Sequence, residues 1–484
     1  MVERKQYSYW RSVGEQYLYH PLGMIALTIF LGYCLVAIYA PFLASSKPLM
    51  VVYQGEWYFP LFRYVFFPGF FTKPIDLFFN ILMFTFPLFA LLFWTKRPFL
   101  SFFILLGLQC VAFAIVMIKP PQDPAGDFSL AVKRREKALQ GNLSWQFVVK
   151  HSSPYENLNR IIDYKVAQQQ HRRILKEIPE GYQGLVPTLW GQEQAHLKTK
   201  AETLQSPEKS AELHDLKERQ IWLEAQSNEI TFMLMPLIRP YHWEDDAGGN
   251  QALNRLLPWW ELTRTNRKDL VAALIFGTRV SLVVGMLSVG IALGIGIILG
   301  AVSGYFGGKC DIILSRLLEI WESMPVFFIL LLVIAMLQSK SIFLVISVIG
   351  LFGWTSFARF TRGEFLKHRS LSYTESCKAL GFPHSRIIFG HILPNAIPPI
   401  LTLLPFSMMG AITAEAGLSF LGLGEEGTCS WGVLMDEGRT AFPGESYLLW
   451  PPAIVLTVLL IAIALIGDSL RDSVDPKLHI LNEN

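Results

Sequence analysis

One polar segment of this sequence has the residue types of a docking surface. Residues 373–400 read YTESCKALGFPHSRIIFGHILPNAIPPI and lie between two apolar runs. Glu375 would fall in the first turn of a short helix, where the helix dipole favours a carboxylate. Gly381 suits the end of that helix, and Pro383 prevents it from continuing. A second short helix follows up to Leu393–Pro394, so the pattern predicts a helix, a turn and another helix, too polar to cross a membrane.

Small side chains follow Glu375 and would let another surface approach closely. They are Ser376, Cys377 and Ala379. Either Ser372 or Thr374 could cap the first helix. On these residues alone two interpretations stay open. The segment is either a docking site for another protein or an amphipathic helix at the membrane surface with no partner.

The sequence carries no catalytic or nucleotide-binding motif. Residues 304–310 (GYFGGKC) lack the glycine spacing of a phosphate-binding loop and the Ser or Thr after its lysine. HExxH, GxSxG and zinc-ligand clusters are absent, and the five cysteines have no metal-like spacing. We interpret His368, His384 and His391 as surface or capping residues rather than metal ligands. The sequence therefore predicts no catalytic residue, no metal and no cofactor bound by this chain.

The apolar residues lie in blocks, which predicts a membrane protein. The 484-residue chain is 52% hydrophobic and 17% charged, and its net charge of +3 gives no reason to expect nucleic acid. A helix of about 20 apolar residues crosses a bilayer and satisfies its own backbone polar groups. Eight segments qualify: Leu22–Phe42, Leu77–Trp94, Phe99–Ile118, Val280–Gly304, Ile312–Leu337, Ile342–Phe360, Ala396–Ala416 and Leu449–Ile466. We interpret the first as a retained anchor, although Ala44-Ser45-Ser46 resembles a cleavage site.

Positive charge in the short loops predicts the orientation, because lysine and arginine mark the cytoplasmic side. With the N-terminus inside, the inner segments hold Arg4, Lys5, Arg11, Lys96, Arg97, Lys309, Arg359, Arg362, Lys367, Arg369, Lys378, Arg386, Arg471 and Lys477. Spans five and six are joined on the other side through Lys340 alone. Both termini and the polar segment are thus expected in the cytoplasm, and residues 119–270 outside.

The long outer region has its own helical pattern. A helix is expected to start at Ser206–Pro207, with Leu213, Leu216, Gln220 and Leu223 near one face. The region is either a solvated spacer or a docking surface for an external partner.

Three carboxylates fall in or near predicted spans and are candidates for the transport pathway. They are Glu319, Glu322 and Glu415. Ionisable residues in membrane segments are costly and usually functional. The alternative is a structural role, in which they pair with Arg316 or the backbone near helix ends.

The polar segment resembles the EAA loop of ATP-binding-cassette (ABC) importer permeases. The matching positions are Glu375, Ser376, Cys377, Gly381, Ile387 or Ile388, and Leu393–Pro394, with alanine usual where Ser376 and Cys377 stand. Other segments look like the dipeptide/oligopeptide subfamily: Arg267–Gly285, Ala414–Gly424, Ser430–Gly432 and Gly467–Pro476. Two segments, Lys47–Phe62 and Arg316–Pro325, look like its microcin-C-type branch. The similarity is dense over 260–484 and patchy over 1–62.

The resemblance implies an all-α polytopic membrane protein with about eight transmembrane helices and a type I importer permease core. Residues 1–118 would hold the N-terminal span and two additional spans, 119–270 an extracytoplasmic insert, and 271–484 a five-helix core with a coupling loop at 361–395. The coupling-loop residues would be Glu375, Ser376, Cys377, Ala379, Gly381, Arg386, Leu393 and Pro394.

The same resemblance implies a function and a set of partners. The chain would be the C-type permease subunit of an importer for peptides or peptide-like solutes in the bacterial inner membrane. It would pair with a second permease, two cytoplasmic ATPases that bind ATP and Mg²⁺, an extracytoplasmic binding protein and membrane lipid. Alternatives are nickel or a peptide antibiotic as cargo, a secondary transporter or channel, which would usually show an internal repeat, and a scaffold that acts through residues 119–270.

Overall fold

The computed structural model describes residues 9–66, 73–92, 98–119, 128–186, 207–243, 256–261, 269–440, 442 and 448–474. Elements up to residue 234 are α1 (Tyr9–Tyr19), α2 (Pro21–Ile38), α3 (Ala40–Leu43), β1 (Met50–Tyr53), β2 (Glu56–Tyr58), α4 (Pro60–Tyr64), α5 (Pro74–Leu92), α6 (Pro98–Ile118), α7 (Phe128–Leu139), α8 (Trp145–His151), α9 (Pro154–Glu177), α10 (Pro207–Asn228) and β3 (Ile230–Leu234). The later helices are α11 (Leu270–Phe306), α12 (Gly308–Glu322), α13 (Val326–Leu337), α14 (Ile342–Arg369), α15 (Ser372–Ala379), α16 (His384–Arg386), α17 (Leu393–Leu401), α18 (Leu404–Leu418), α19 (Trp431–Thr440) and α20 (Trp450–Val474). Short 3₁₀ turns lie at Gln183–Leu185 and Trp259–Glu261, and π-helical turns at Ile387–Ile392 and Ser419–Leu423.

Five helices in the described part of the chain are long and apolar enough to cross a membrane. They are Pro21–Ile38, Leu270–Phe306, Ile342–Arg369, Leu404–Leu423 and Trp450–Val474. These helices confirm five of the eight predicted spans, although the one predicted from Ala396 begins only at Leu404. The prolines Pro398, Pro399 and Pro405 divide that stretch into α17 and α18.

The predicted span Ile312–Leu337 is two helices rather than one. Helices α12 and α13 meet at a bend of 70°, and together they make a sixth candidate crossing. Pro325 at the break has no N–H and restricts the residue before it, so a single helix cannot run through.

The other two predicted spans form helices α5 and α6. Their described apolar parts, Pro74–Leu88 and Phe103–Ile118, are shorter than a full crossing. That these two helices cross the membrane stays a prediction.

The chain divides into two compact units. A core unit contains Met1–Leu35 and Gly277–Asn484, and an insert unit contains Val36–Phe276. These boundaries differ from the predicted divisions at 118/119 and 270/271. The reason lies in the sheet, because strands β1 and β2 precede the predicted insert and pair with β3 inside it.

The core unit brings α11 and α14 into backbone contact. Gly296, Gly300 and Gly304 lie one turn apart on α11. A Cβ atom on Gly304 would lie 2.7 Å from the carbonyl oxygen of Arg362, and one on Gly300 would overlap the carbonyl oxygen of Ala358. The hydrophobic effect contributes little to helix association in lipid, so membrane helices associate largely through van der Waals packing. Small residues allow the close approach that this packing needs.

The insert unit is built on an antiparallel sheet of order β2-β1-β3. One sheet face packs on α9 and α10 around the fully buried Val51, together with Leu158, Ile161, Ile162, Val166 and Leu223. Helix α10 begins at Pro207 as predicted, with Leu216 and Leu223 buried. The predicted cap Ser206 lies outside the described residues.

A buried ion pair caps the start of α11 in the insert unit. Arg239 Nε donates to Asp269 Oδ2 at 2.9 Å, and Asp269 Oδ1 accepts from the Ala272 N–H at 2.9 Å. Burial raises the pKa of Asp269, and the guanidinium of Arg239 acts in the opposite direction. Arg239 also donates its backbone N–H to the Leu43 carbonyl at 3.0 Å, so one residue joins the end of α3 to the start of α11.

The contact of α11 with α14 predicts a loss of stability for one glycine substitution on α11 and none for another. Gly300→Ala should lower the stability of the purified chain in detergent by about 1–3 kcal/mol, because the added methyl overlaps the α14 backbone. Gly294→Ala is the control, because nothing lies within 4 Å of a Cβ atom there. An equal apparent melting temperature for the two variants would contradict this packing.

Candidate functional site

The predicted helix, turn and second helix are present in the polar segment. Helix α15 ends at Ala379, and Gly381 follows the cap residue with a φ of +72°, the left-handed conformation that favours glycine. The Phe382 N–H donates to the Cys377 carbonyl at 3.1 Å, and the Gly381 N–H donates to the Lys378 carbonyl at 3.0 Å. This pair of hydrogen bonds is a Schellman motif, which fixes the direction in which the chain leaves the helix.

The start of α15 differs from the sequence prediction. Leu371 occupies the cap position and makes no side-chain cap. The Thr374 hydroxyl is buried and donates to the His368 carbonyl at 2.8 Å. The predicted cap by Ser372 or Thr374 was therefore wrong, because the end of α14 lies close enough to take the Thr374 hydroxyl.

The inner face of the segment packs on the helices of the core unit. Cys377 is only 9% exposed and lies in one cluster with buried residues of α11, α14 and α17. The cluster contains Val289, Ala292, Ala301, Tyr305, Phe357, Phe365, Ile387, Ile388, Ile392, Ala396 and Ile400. A force applied to α15 would therefore reach α11 and α14 through close-packed side chains.

The outer face presents most of the predicted contact residues. Glu375, Ser376, Ala379, Gly381, Arg386 and Pro394 are exposed, whereas Leu393 is half-buried. Cys377 is buried against the core helices, so it can position the outer residues but cannot itself form the contact with another protein. Among the described residues of the segment, two large apolar side chains that the sequence interpretation missed are also exposed, Leu380 (72%) and Phe389 (60%). Two large apolar residues in so polar a segment were the sequence signal that could have identified them.

Side-chain contacts hold the turn against the end of α11. The Tyr305 hydroxyl and His384 Nδ1 are 2.8 Å apart, and Lys378 Nζ lies 5.8 Å from the centre of the Tyr305 ring. The Arg369 guanidinium donates to the Tyr305 carbonyl at 3.3 Å. His384 therefore positions the turn against the end of α11.

An ion pair joins α12 to the same end of the core unit. Arg362 Nη2 on α14 donates to Asp311 Oδ2 at 2.8 Å, and the Ser303 hydroxyl of α11 donates to the same carboxylate. Helices α11, α12, α14 and α15 thus form one connected group around the polar segment.

The three candidate pathway carboxylates have three different environments. Glu319 pairs with Arg316 on the same helix, and both side chains are more than half exposed. Glu322 pairs with Arg359 of α14. Glu415 is 3% exposed and accepts from the Ser419 hydroxyl at 2.7 Å, with Ser430 as a further partner.

Glu425 caps the first turn of α14, at the end of that helix opposite to the polar segment. The sequence interpretation did not single it out as a site residue. Its Oε2 accepts from the Ile342 N–H at 2.9 Å, so it satisfies a free donor in the first turn of α14. Lys340 Nζ donates nearby to the Gly422 carbonyl at 3.2 Å. No local sequence signal marks this cap, because the two residues are 83 positions apart.

The two faces of the segment predict different thiol reactivity. In the purified chain with Cys34, Cys110, Cys310 and Cys429 replaced by alanine, Leu380→Cys should react rapidly with a maleimide. Native Cys377 in the same background should react slowly, because it is buried. Rapid reaction of Cys377 without Leu380→Cys would contradict the inward position of its side chain.

Comparison with known proteins identifies two family models in this chain. One is described as "Binding-protein-dependent transport system inner membrane component" and matches residues 296–480. The other is described as "N-terminal TM domain of oligopeptide transport permease C" and matches residues 8–58. The first match includes the whole polar segment.

Curated relatives align with about half of the chain. Over 251 residues it is 38% identical to the oligopeptide transport system permease protein OppC of Haemophilus influenzae, with 51% of this chain and 80% of that protein covered. Over 220 residues it is 36% identical to the peptidoglycan transport system permease protein YejE of Agrobacterium fabrum, with 45% and 57% covered. Over 218 residues it is 34% identical to the inner membrane ABC transporter permease protein YejE of Escherichia coli, with 45% and 63% covered. The chain thus spans less than two thirds of either YejE relative and four fifths of the OppC relative.

Proposed function

This chain belongs to the dipeptide and oligopeptide branch of the binding-protein-dependent transport permeases, and we propose that it is the membrane subunit of an ATP-driven importer for peptides or peptide-like solutes. The observation that carries the proposal is the two-faced polar segment, with Glu375 and Leu380 exposed and Cys377 packed on the core helices. ATP hydrolysis, with its ATP and Mg²⁺, is assigned to partner ATPases. Nickel or a peptide antibiotic stays the alternative cargo.

The exposed side of the polar segment is the proposed contact with an ATPase. Leu380 and Phe389 would supply apolar anchors, with Glu375 and Arg386 around them as a polar rim. Interfaces of this composition, with a few large apolar side chains inside a polar surround, are typical of protein contacts. Residues Ser376 and Ala379 would allow the close approach that the sequence predicted.

Movement of α15 would reach the membrane helices through two connections. The cluster around Cys377 and Ile387 transmits a push to α11 and α14 because close-packed side chains deform little. The Asp311–Arg362 pair extends that connection to α12. Since glycines on α11 lock it against α14, these two helices would move as one body between inward-open and outward-open states.

The proposed assembly contains a second, homologous permease, two cytoplasmic ATPases and an extracytoplasmic binding protein. The proposed location is the bacterial inner membrane, with both termini and α15 in the cytoplasm. Lys367, His368 and Arg369 at the end of α14 support this orientation, because basic residues favour the cytoplasmic side. Residues 119–270 would then lie outside.

Two substitutions on α15 and its turn test the coupling role. Glu375→Arg reverses a charge on the exposed face, and Gly381→Pro cannot adopt the left-handed φ. Each should reduce uptake of labelled trialanine to background in cells that carry the complete transporter, with normal amounts of the chain in the membrane. Glu224→Arg, at an exposed glutamate of the insert unit, is the control and should transport normally. Full uptake by both α15 variants would disprove the assignment.

The same variants test the partner assignment. The tagged wild-type chain should copurify from native membranes with a second permease and ATPase subunits, and the α15 variants should lose the ATPases alone. A wild-type chain that purifies without partners in several mild detergents would favour the scaffold interpretation instead.

The orientation is tested with one exposed residue of the insert unit. Glu180→Cys, in a chain without other cysteines, should react with a membrane-impermeant maleimide in cells whose outer membrane alone has been permeabilised. Reaction only after the inner membrane is opened would reverse the proposed topology.

A further inference from the structure

The sheet of the insert unit has apolar side chains on both of its faces. Its inner face packs on α9 and α10 around Val51. Side chains alternate between the faces along a strand, and directly opposite residues of paired strands share a face. Val52, the neighbour of Val51, therefore lies on the outer face together with its strand partners Trp57 and Phe232.

This outer face is open. Trp57 is 61% exposed, Phe232 46% and Leu234 44%. Leu234 pairs with Met50, and the two share the outer face with the first three residues, so the five side chains are all uncharged. An antiparallel sheet with one solvated face normally alternates apolar and polar residues along each strand, and these strands do not. A contiguous exposed apolar surface marks a contact with another protein or with a membrane.

Hydrogen bonds hold this sheet near the end of a membrane-crossing helix. Helix α2 is long and apolar enough to cross a bilayer and ends at Ile38. Phe42 follows four residues later, and four steps between Cα atoms cover at most about 15 Å. The Phe42 carbonyl accepts from the Leu237 N–H at 3.0 Å, three residues after the end of β3. The sheet therefore begins close to the surface that α2 reaches.

Aromatic rings continue from the end of α2 past the sheet to an apolar helix. Phe62 of α4 contacts Phe42, and its ring centre lies 5.7 Å from the centre of that ring. It also contacts Phe59, which directly follows β2, at 6.5 Å, and Phe84 of α5 at 6.1 Å. Phe59, Phe62 and Phe84 are all exposed, and the described part of α5 is apolar. The apolar surface of the sheet is thus continuous with that of α5.

A lipid surface fits the outer face better than a protein partner does. Protein interfaces surround their apolar anchors with a polar rim and form a hydrogen bond for about every 100–200 Å² of area. The indole N–H of Trp57 is the only polar side-chain group among the five residues. Tryptophan is enriched at the level of the lipid headgroups, where its ring meets apolar groups and its N–H meets polar ones. Phenylalanine and leucine are typical of the apolar faces that lie on bilayers.

We propose that the outer face of this sheet binds the bilayer surface, with Trp57, Phe232 and Leu234 in contact with phospholipid. The inference goes beyond the proposed function, because it assigns the insert unit a lipid-binding surface whatever the cargo is. Burial of these side chains among the upper parts of the acyl chains supplies the affinity. The contact keeps the insert unit at the membrane surface.

The test measures lipid contact at single positions of the full chain. The purified chain, with its five cysteines replaced by alanine, receives Phe232→Cys and the fluorophore NBD at that cysteine. Glu224→Cys is the matched control, because this residue is exposed on α10, which packs on the opposite face of the sheet. Both chains are placed in nanodiscs of phosphatidylcholine and phosphatidylglycerol. A phosphatidylcholine that carries a doxyl quencher high on its acyl chain should lower emission about twofold at position 232 and leave position 224 unchanged.

Equal quenching at the two positions, or none at position 232, would overturn the lipid contact. The same measurement in the assembled transporter covers the protein alternatives. Loss of quenching at position 232 on assembly would show that a second permease or a binding protein covers the face, and it would also overturn the proposal. If Phe232→Cys does not yield folded chain, Trp57→Cys places the probe on the same face and the same criteria apply. None of these results depends on peptide uptake, so failure here is distinct from failure of the proposed function.

Discussion

The close contact between α11 and α14 is the constraint on which the core unit depends. Gly296, Gly300 and Gly304 bring the two backbones together along two turns of α11, where a single methyl group would collide with α14. Helices in lipid gain little from the hydrophobic effect, so close backbone packing is what stabilises the α11–α14 pair. The polar segment packs on this pair, and α12 is tied to it by Asp311 and Arg362.

The carboxylates of the core unit lie in three different environments. Glu415 is buried, and its carboxylate accepts a hydrogen bond from the Ser419 hydroxyl. Asp311 is held by Arg362 where several helices meet. Glu322 and Arg359 differ because they remain exposed beside a broken helix. The three carboxylates that the sequence placed in one class of candidates therefore divide. Glu415 is buried, whereas Glu319 and Glu322 lie at the surface and pair with arginines.

The insert unit shows why the boundaries of a structural unit cannot be read from sequence position alone. Its sheet needs β1 and β2 from residues 50–58 as well as β3 from residues 230–234. Arg239 then joins the Leu43 carbonyl to the Asp269 carboxylate at the first turn of α11. Removal of the Arg239 side chain would break this ion pair at the buried Asp269 carboxylate, and loss of one partner of a buried pair typically costs about 3–5 kcal/mol.

The sequence by itself determined the features that depend on local composition. Apolar blocks predicted eight crossing helices, and five of these are long apolar helices in the described residues. Gly381 and Pro383 predicted the turn after α15, and Pro207 marked the start of α10. Each rests on a propensity that neighbouring residues express without help from the rest of the chain. The resemblance to importer permeases was also carried by short contiguous motifs, and it was confirmed by the family matches.

Only the tertiary structure decided the features that depend on residues far apart in the chain. It turned Cys377 inward and left Leu380 and Phe389 outside, because α11 and α14 cover one face of α15. It also placed Glu322 at the end of α12 beside Arg359 of α14. Such pairings are set by packing between elements, and no pattern within either element records which distant residue will meet it.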